Sequence, residues 1–154
     1  MPGPVLFCYD GSEGSRHSMR AAAGLVAQPS SAVVLTVWVP ASTQLALAGS
    51  FAPTVLSEEG QLDEEEAAAA RKVAEEGAAH ARERGYDAVA RTVEATEGVV
   101  HAILGVAEEL DARLIVCGQR GRGALRSALL GSVSHALSAH ARRPVMIVPE
   151  HLDV

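Results

Sequence analysis

Leu114-Ile115-Val116-Cys117-Gly118-Gln119-Arg120-Gly121-Arg122-Gly123, followed past Leu130 by Gly131-Ser132-Val133-Ser134, is the stretch on which the reading of this chain turns. Leu114 to Cys117 is an apolar run short enough for a buried strand. It stops abruptly in glycines. Gly131 then precedes a hydroxyl residue and a segment of helical periodicity, Gly131 to about Ala141. Glycine permits close backbone approach to a ligand. A helix N-terminus supplies unpaired N–H groups and the positive end of a dipole. Together these predict an anion-binding cradle, with phosphate the natural anion. Gly118, Gly121 and Gly131 follow the spacing Gly-two-Gly-nine-Gly, with Ser132 directly after.

Working outward, strands and helices alternate. Upstream, Thr96-Glu97-Gly98 opens a helix running to about Leu110, with Val99, Ile103, Val106 and Leu110 on one face. Downstream, Val145 to Val148 reads as the last strand. At the start of the chain, Val5 to Tyr9 is a buried strand ended by Asp10-Gly11-Ser12. Ser12 suits the N-cap of a helix over about Glu13–Ala27. Ala32 to Val39 is a second buried strand, and Asp87 to Ala95 alternates as a strand nearer the sheet edge would. Between them an alanine-rich helix spans Asp63 to Arg84, with Gly85 as its C-cap. Residues 40–60 read as a long irregular connection. Such alternation predicts an α/β fold: a single-domain, open, mainly parallel five-stranded sheet with helices on both faces, Rossmann-like. Ligands of such sheets sit beyond the carboxyl ends of the strands, where strand order reverses. Asp10 and Gly118 both lie at such ends.

Composition bounds the partners. The 154 residues are 48% hydrophobic and 21% charged, a soluble globular balance. No apolar run reaches the length of a membrane span. The chain enters its first strand without a basic leader segment, so no signal peptide and a cytoplasmic location are expected. A net charge of −6 argues against nonspecific nucleic-acid binding. Yet no acid occurs from Ala112 to Pro149, while Arg113, Arg120, Arg122, Arg126, Arg142 and Arg143 do. The glycine loop is therefore locally basic within an acidic protein, as a focused anion site would be. Cys8 and Cys117 have no nearby metal-ligand partners and read as buried thiols; a redox pair is the alternative, if their strands are adjacent. The acids Glu58, Glu59, Asp63, Glu64, Glu65 and Glu66 read as a solvated helix start.

Gly118-x-x-Gly121, nine residues, then Gly131-Ser132 resembles the ATP-binding signature of the universal stress proteins. Val5 to Ser12, Leu35-Thr36-Val37-Trp38 and Arg143 to Pro149 resemble that family's first, second and last strands, so the resemblance covers nearly the whole chain in order. It implies an adenine-nucleotide alpha-hydrolase-like fold in which strands one and four are neighbours. It implies ATP as ligand, held by Cys117, Gly118, Gln119, Arg120, Gly121, Arg122 and Gly123 and by Gly131, Ser132 and Val133. Val37 matches the position whose backbone meets the adenine edge. Asp10 matches an acid beside the nucleotide that takes part in magnesium binding. A homodimer through Val145–Val148 is also implied. The chain departs from the common pattern at Gln119, where a small hydroxyl residue is frequent; Arg120 and Arg122 offer charge-assisted bonds instead.

The motif is neither a Walker loop, since no Gly-Lys-Ser/Thr follows, nor the dinucleotide fingerprint, which belongs after the first strand. No nucleophile–base–acid set is visible and no general base to activate water, so fast turnover is not expected. Two other readings stay open. One is a slow ATPase or other nucleotide-using enzyme on this scaffold. The other is an interaction module that takes AMP or cyclic AMP or carries a non-functional site.

Overall fold

The computed structural model describes residues 2–47, 56–122 and 130–150. Its elements are β1 (Val5–Cys8), α1 (Glu13–Leu25), β2 (Ser30–Trp38), α2 (Ala41–Leu47), α3 (Leu56–Arg82), β3 (Tyr86–Glu94), α4 (Val99–Glu109), β4 (Leu114–Gly118), α5 (Ser132–His140) and β5 (Val145–Val148). The five strands form one sheet in the order β3-β2-β1-β4-β5, and every pairing is parallel. The chain builds β1, β2 and β3 outward in one direction, then returns to lay β4 against the other side of β1. The order therefore reverses between β1 and β4, which is where such sheets open a crevice.

Side-chain alternation along β1 shows why both faces must be covered. Val5, Phe7 and Tyr9 pack with Met19, Ala21 and Ala22 of α1 and Ala78 and Ala81 of α3. Leu6 faces the other way, with Leu35, Ile115 and Cys117, under Ile103 and Val106 of α4 and Leu137 of α5. A strand apolar on both faces belongs in the middle of a covered parallel sheet. The helices on the first face lie very close to it. A Cβ at Gly77 of α3 would stand 2.6 Å from the Tyr9 ring and 2.8 Å from Val34 Cγ1. Only a residue without a side chain allows that seat.

The connection expected to be irregular over residues 40–60 contains two helical segments, α2 and the first turns of α3. Their stabilisation is long-range. The Pro40 carbonyl accepts the first helical bond of α2, from Gln44 N–H. Asp63 Oδ1 accepts from Ala41 N–H at 2.7 Å. Asp63, read as the start of its own helix, thus caps a different one, and α3 begins earlier, at Leu56.

Candidate functional site

Beyond the carboxyl ends of β1, β2 and β4 lies a cleft of about 300 Å³. On the β2 side its wall is apolar, made by Leu35 and Val37 with Val99 and Ile103 of α4. Cys8 and Cys117 also line it. On the β4 side stand Asp10, Ser15, the loop from Gly118 to Arg122, and residues Gly131–Ser134 at the start of α5. One end is thus shaped for a flat apolar group, the other for a polar, anionic one.

The β1–α1 turn is locally determined. Ser12 Oγ accepts from Ser15 N–H at 3.2 Å, the expected N-cap. Asp10 Oδ1 accepts from Ser12 N–H at 2.9 Å, closing an Asx turn. Gly11, between them, has φ +77°, a conformation in which a side chain would be strained. The second carboxylate oxygen reaches across the fold: Asp10 Oδ2 accepts from Arg122 N–H at 2.9 Å. Asp10 therefore pins the glycine loop to β1. Gly121 is the residue that permits it, because a Cβ there would lie 2.6 Å from Asp10 Oδ2. Burial works to raise the Asp10 pKa, but the hydrogen bonds from Ser12 and Arg122 outweigh it and hold the carboxyl below its ordinary value.

The rest of the loop is equally constrained. Gln119 N–H donates to Val148 O at 2.8 Å, and Gln119 O accepts from Gly131 N–H at 2.9 Å. The Ser134 hydroxyl donates to the same Gln119 oxygen at 2.8 Å. Residue 119, where the chain departs from the common signature, thus ties β5, the loop and α5 together through its backbone. Arg120 pairs with Glu150 at 3.5 Å, yet its Nε is buried without a hydrogen-bond partner. Arg122 folds its guanidinium over Gly11, with Nη2 3.1 Å from where a Gly11 Cβ would be.

Helix α5 differs from α1 at its N-terminus. Its N-cap is Gly131, which makes no side-chain cap, and its first turn carries no acid. An uncapped helix start at a cleft leaves donors for a ligand.

Of the residues singled out in the sequence, Asp10, Val37, Cys117, Gly118, Gln119, Arg120, Gly121, Arg122, Gly131, Ser132 and Val133 all line this one cleft. Gly123 lies outside the described residues. Sequence reasoning missed Ser15 and Ser134 as site residues. Both were legible as hydroxyls in the first turn of a helix next to a glycine motif. It also missed Leu35, Val99 and Ile103 as the apolar wall, because periodicity marks them only as core. Among the described residues no cluster of three or more metal-ligating side chains occurs, and no helix is long and apolar enough to cross a membrane.

Residues 1–149 match the model of the universal stress protein family. The chain is 40% identical over 77 residues to the universal stress protein YxiE of Bacillus subtilis, a match that takes in 50% of this chain and spans about half, 51%, of that relative. The universal stress protein UspA from Lactobacillus plantarum shares the fold, with a TM-score of 0.73 over 96% of this chain and 97% of its own at 17% identity. A universal stress protein solved in complex with cAMP superposes with a TM-score of 0.63 over 96% of this chain and 98% of its own at 27% identity. With the family model matched over nearly the whole chain and the parallel sheet shared with these structures, the chain belongs to the universal stress protein family.

Proposed function

We propose that this protein binds an adenine nucleotide, ATP first among them, in the cleft between β1 and β4, and acts in the cytoplasm by ligand-biased conformation or partner choice in a stress response. The observation that carries this reading is the uncapped start of α5 facing a loop pinned by Asp10. Support comes also from the orphaned Arg120 Nε, a buried donor that an anion would satisfy, and from the relative solved with cAMP.

In this reading the base lies against Leu35, Val37, Val99 and Ile103, with the Val37 backbone at its edge. The phosphates meet the amides of Gly118–Gly123 and of Gly131, Ser132 and Val133, with the Ser132 hydroxyl as a further donor and Gln119, Arg120 and Arg122 beside them. Cys117 sits where strand becomes loop. Among the described residues, Asp10 is the one carboxylate lining the cleft. Its oxygens accept the N–H groups of Ser12 and Arg122, and a carboxylate has about four acceptor positions, so it suits a magnesium ion arriving with the nucleotide. Magnesium would supply charge neutralisation on the phosphates. One carboxylate fits that role, because magnesium commonly takes one or two carboxylates together with the phosphates of its substrate.

Asp10 is also a poor general base, since its carboxyl is held below the ordinary range. We therefore read the site as one for binding and switching rather than rapid hydrolysis. β5 is an edge strand whose Val145, Met146 and Ile147 are only half-buried, which suits a homodimer through Val145–Val148.

Amide chemical shifts on addition of Mg-ATP test the location. Shifts should concentrate at residues 118–122 and 132–134 and at Val37. Saturable shifts confined to other elements would remove the cleft from the function.

A further inference from the structure

Cys8 and Cys117 were expected to be inert or, at most, a pair if their strands met. The strands do meet. In the β1–β4 pairing Val5 lies opposite Leu114, Leu6 opposite Ile115 and Phe7 opposite Val116. The paired residues end there; carried on by one step, the same register would set Cys8 opposite Cys117. Both belong to the same sheet face, since Cys117 is part of the buried cluster that holds Leu6, Leu35, Ile103 and Ile115, and Cys8 packs against that cluster. Both line the cleft. Cys8 is partly exposed and Cys117 buried.

Neighbouring strands run about 4.7–4.9 Å apart, inside the Cα range of about 4.4–6.8 Å that a disulfide spans. The Cβ separation of directly opposed residues is of similar size, slightly beyond the relaxed disulfide value of about 3.8 Å. A bond is therefore reachable by a small approach of the two strands, and some strain keeps it reducible. Its product is neutral and apolar, which suits a buried wall. A bis-thiolate metal site would instead place negative charge in that wall beside Asp10.

We propose that Cys8 and Cys117 form a reversible intramolecular disulfide in the cleft when the protein meets a hydroperoxide. The Cys8 sulfur, the less buried of the two, attacks the peroxide oxygen as thiolate. The O–O bond breaks, leaving a sulfenic acid on Cys8 and releasing an alcohol, or water from hydrogen peroxide. The Cys117 sulfur, having lost its proton to solvent, then attacks the Cys8 sulfur. The S–O bond breaks and the departing hydroxide takes up a proton. The sum is two thiols and one hydroperoxide giving one disulfide, one alcohol and one water. Burial raises the pKa of both thiols, that of Cys117 to about 11. The reduced pair therefore resists adventitious oxidation and turns over slowly.

The thiol chemistry stands apart from the nucleotide reading, but its consequence rests on it. Asp10 and Gly118 lie two residues and one residue beyond the two sulfurs. Drawing the strands together moves the pinned loop and the floor of the cleft. A bound nucleotide covers Cys8 and delays oxidation by the factor 1 + [L]/Kd, about 100-fold at roughly 100 Kd.

The test is hydrogen peroxide treatment of the reduced full-length protein. Denaturing alkylation, intact mass and a peptide map then follow the thiols, with and without Mg-ATP. The expected product has lost two hydrogens, takes up no alkylating agent, contains a Cys8–Cys117 linked peptide within one chain and reverts with dithiothreitol. Cys117→Ser should stop at a Cys8 sulfenic acid that dimedone traps. Cys117→Ala serves the same purpose should the serine variant not fold. Links only between chains, or Cys8 driven to sulfinic acid beside a free Cys117 thiol, would overturn the proposal. A disulfide that forms at one rate with and without Mg-ATP would leave the thiol pair standing and remove the nucleotide from this cleft.

Discussion

Gly121→Ala probes the contact on which the loop geometry depends. The new Cβ would sit 2.6 Å from Asp10 Oδ2, about 0.8 Å inside the 3.4 Å at which ordinary contact begins. The carboxylate cannot retreat freely, because its other oxygen is held by Ser12 N–H at 2.9 Å. The loop must yield instead, and the Arg122 N–H bond to Oδ2 is lost. A hydrogen bond to a charged group contributes about 1.5–3 kcal/mol. Arg122 is exposed, so the low end applies, about 1.5 kcal/mol. If the pinned loop is the form that takes nucleotide, affinity for Mg-ATP should fall roughly tenfold. Global stability should fall by no more than about the same 1.5 kcal/mol. Calorimetric titration and urea unfolding read the two quantities. Asp10→Asn should weaken binding in the same direction, since an amide has a single oxygen for two donors. Unchanged affinity in both variants would refute the argument that Asp10 presets the loop.

Gly105→Ala is the matching control: its Cβ would meet nothing within 4 Å, so it should raise stability by roughly 0.5–1 kcal/mol and leave affinity alone. Gly77→Val should destabilise by about 1–3 kcal/mol or more in urea unfolding, because Tyr9 and Val34 block the site. Asp10 has a lower pKa folded than unfolded. Its stabilisation is therefore complete above the ordinary carboxylate range and is lost as pH falls through the folded value. The acid limb of a melting-temperature profile should flatten in Asp10→Asn. Light scattering should find a dimer, and a monomer at every concentration tested would remove the β5 interface.

The parts of this fold visible in the sequence are those with short-range causes. Val5 to Tyr9 and Leu114 to Cys117 announce buried strands by apolar runs. Ser12 announces its helix by a cap one residue away. The glycine spacing announced the loop and, through the family it resembles, the lining residues on the β4 side of the cleft other than Ser15 and Ser134. What stayed hidden depends on distant residues. The Asp10–Arg122 bond joins positions 112 apart. No local pattern tells that a loop amide, rather than a ligand, takes the second carboxylate oxygen. Helix α2 was lost for the same reason. Its seven residues include good helix formers but are too few to hold a helix alone, and its cap comes from Asp63 on α3. That Cys8 and Cys117 lie on adjacent strands follows from the strand order, which the alternation of elements allows but does not dictate and which only the family resemblance implied. The apolar wall was hidden by its chemistry: Val99 and Ile103 look identical whether they face a core or a ligand.

The most direct test of nucleotide binding is calorimetric titration of the protein, stripped of any co-purified nucleotide and verified as folded, with Mg-ATP. The structure predicts saturable binding of one nucleotide per chain. A folded, nucleotide-free protein that takes up neither ATP, AMP nor cyclic AMP would contradict the account, and the glycine loop would then be a structural turn on an interaction module.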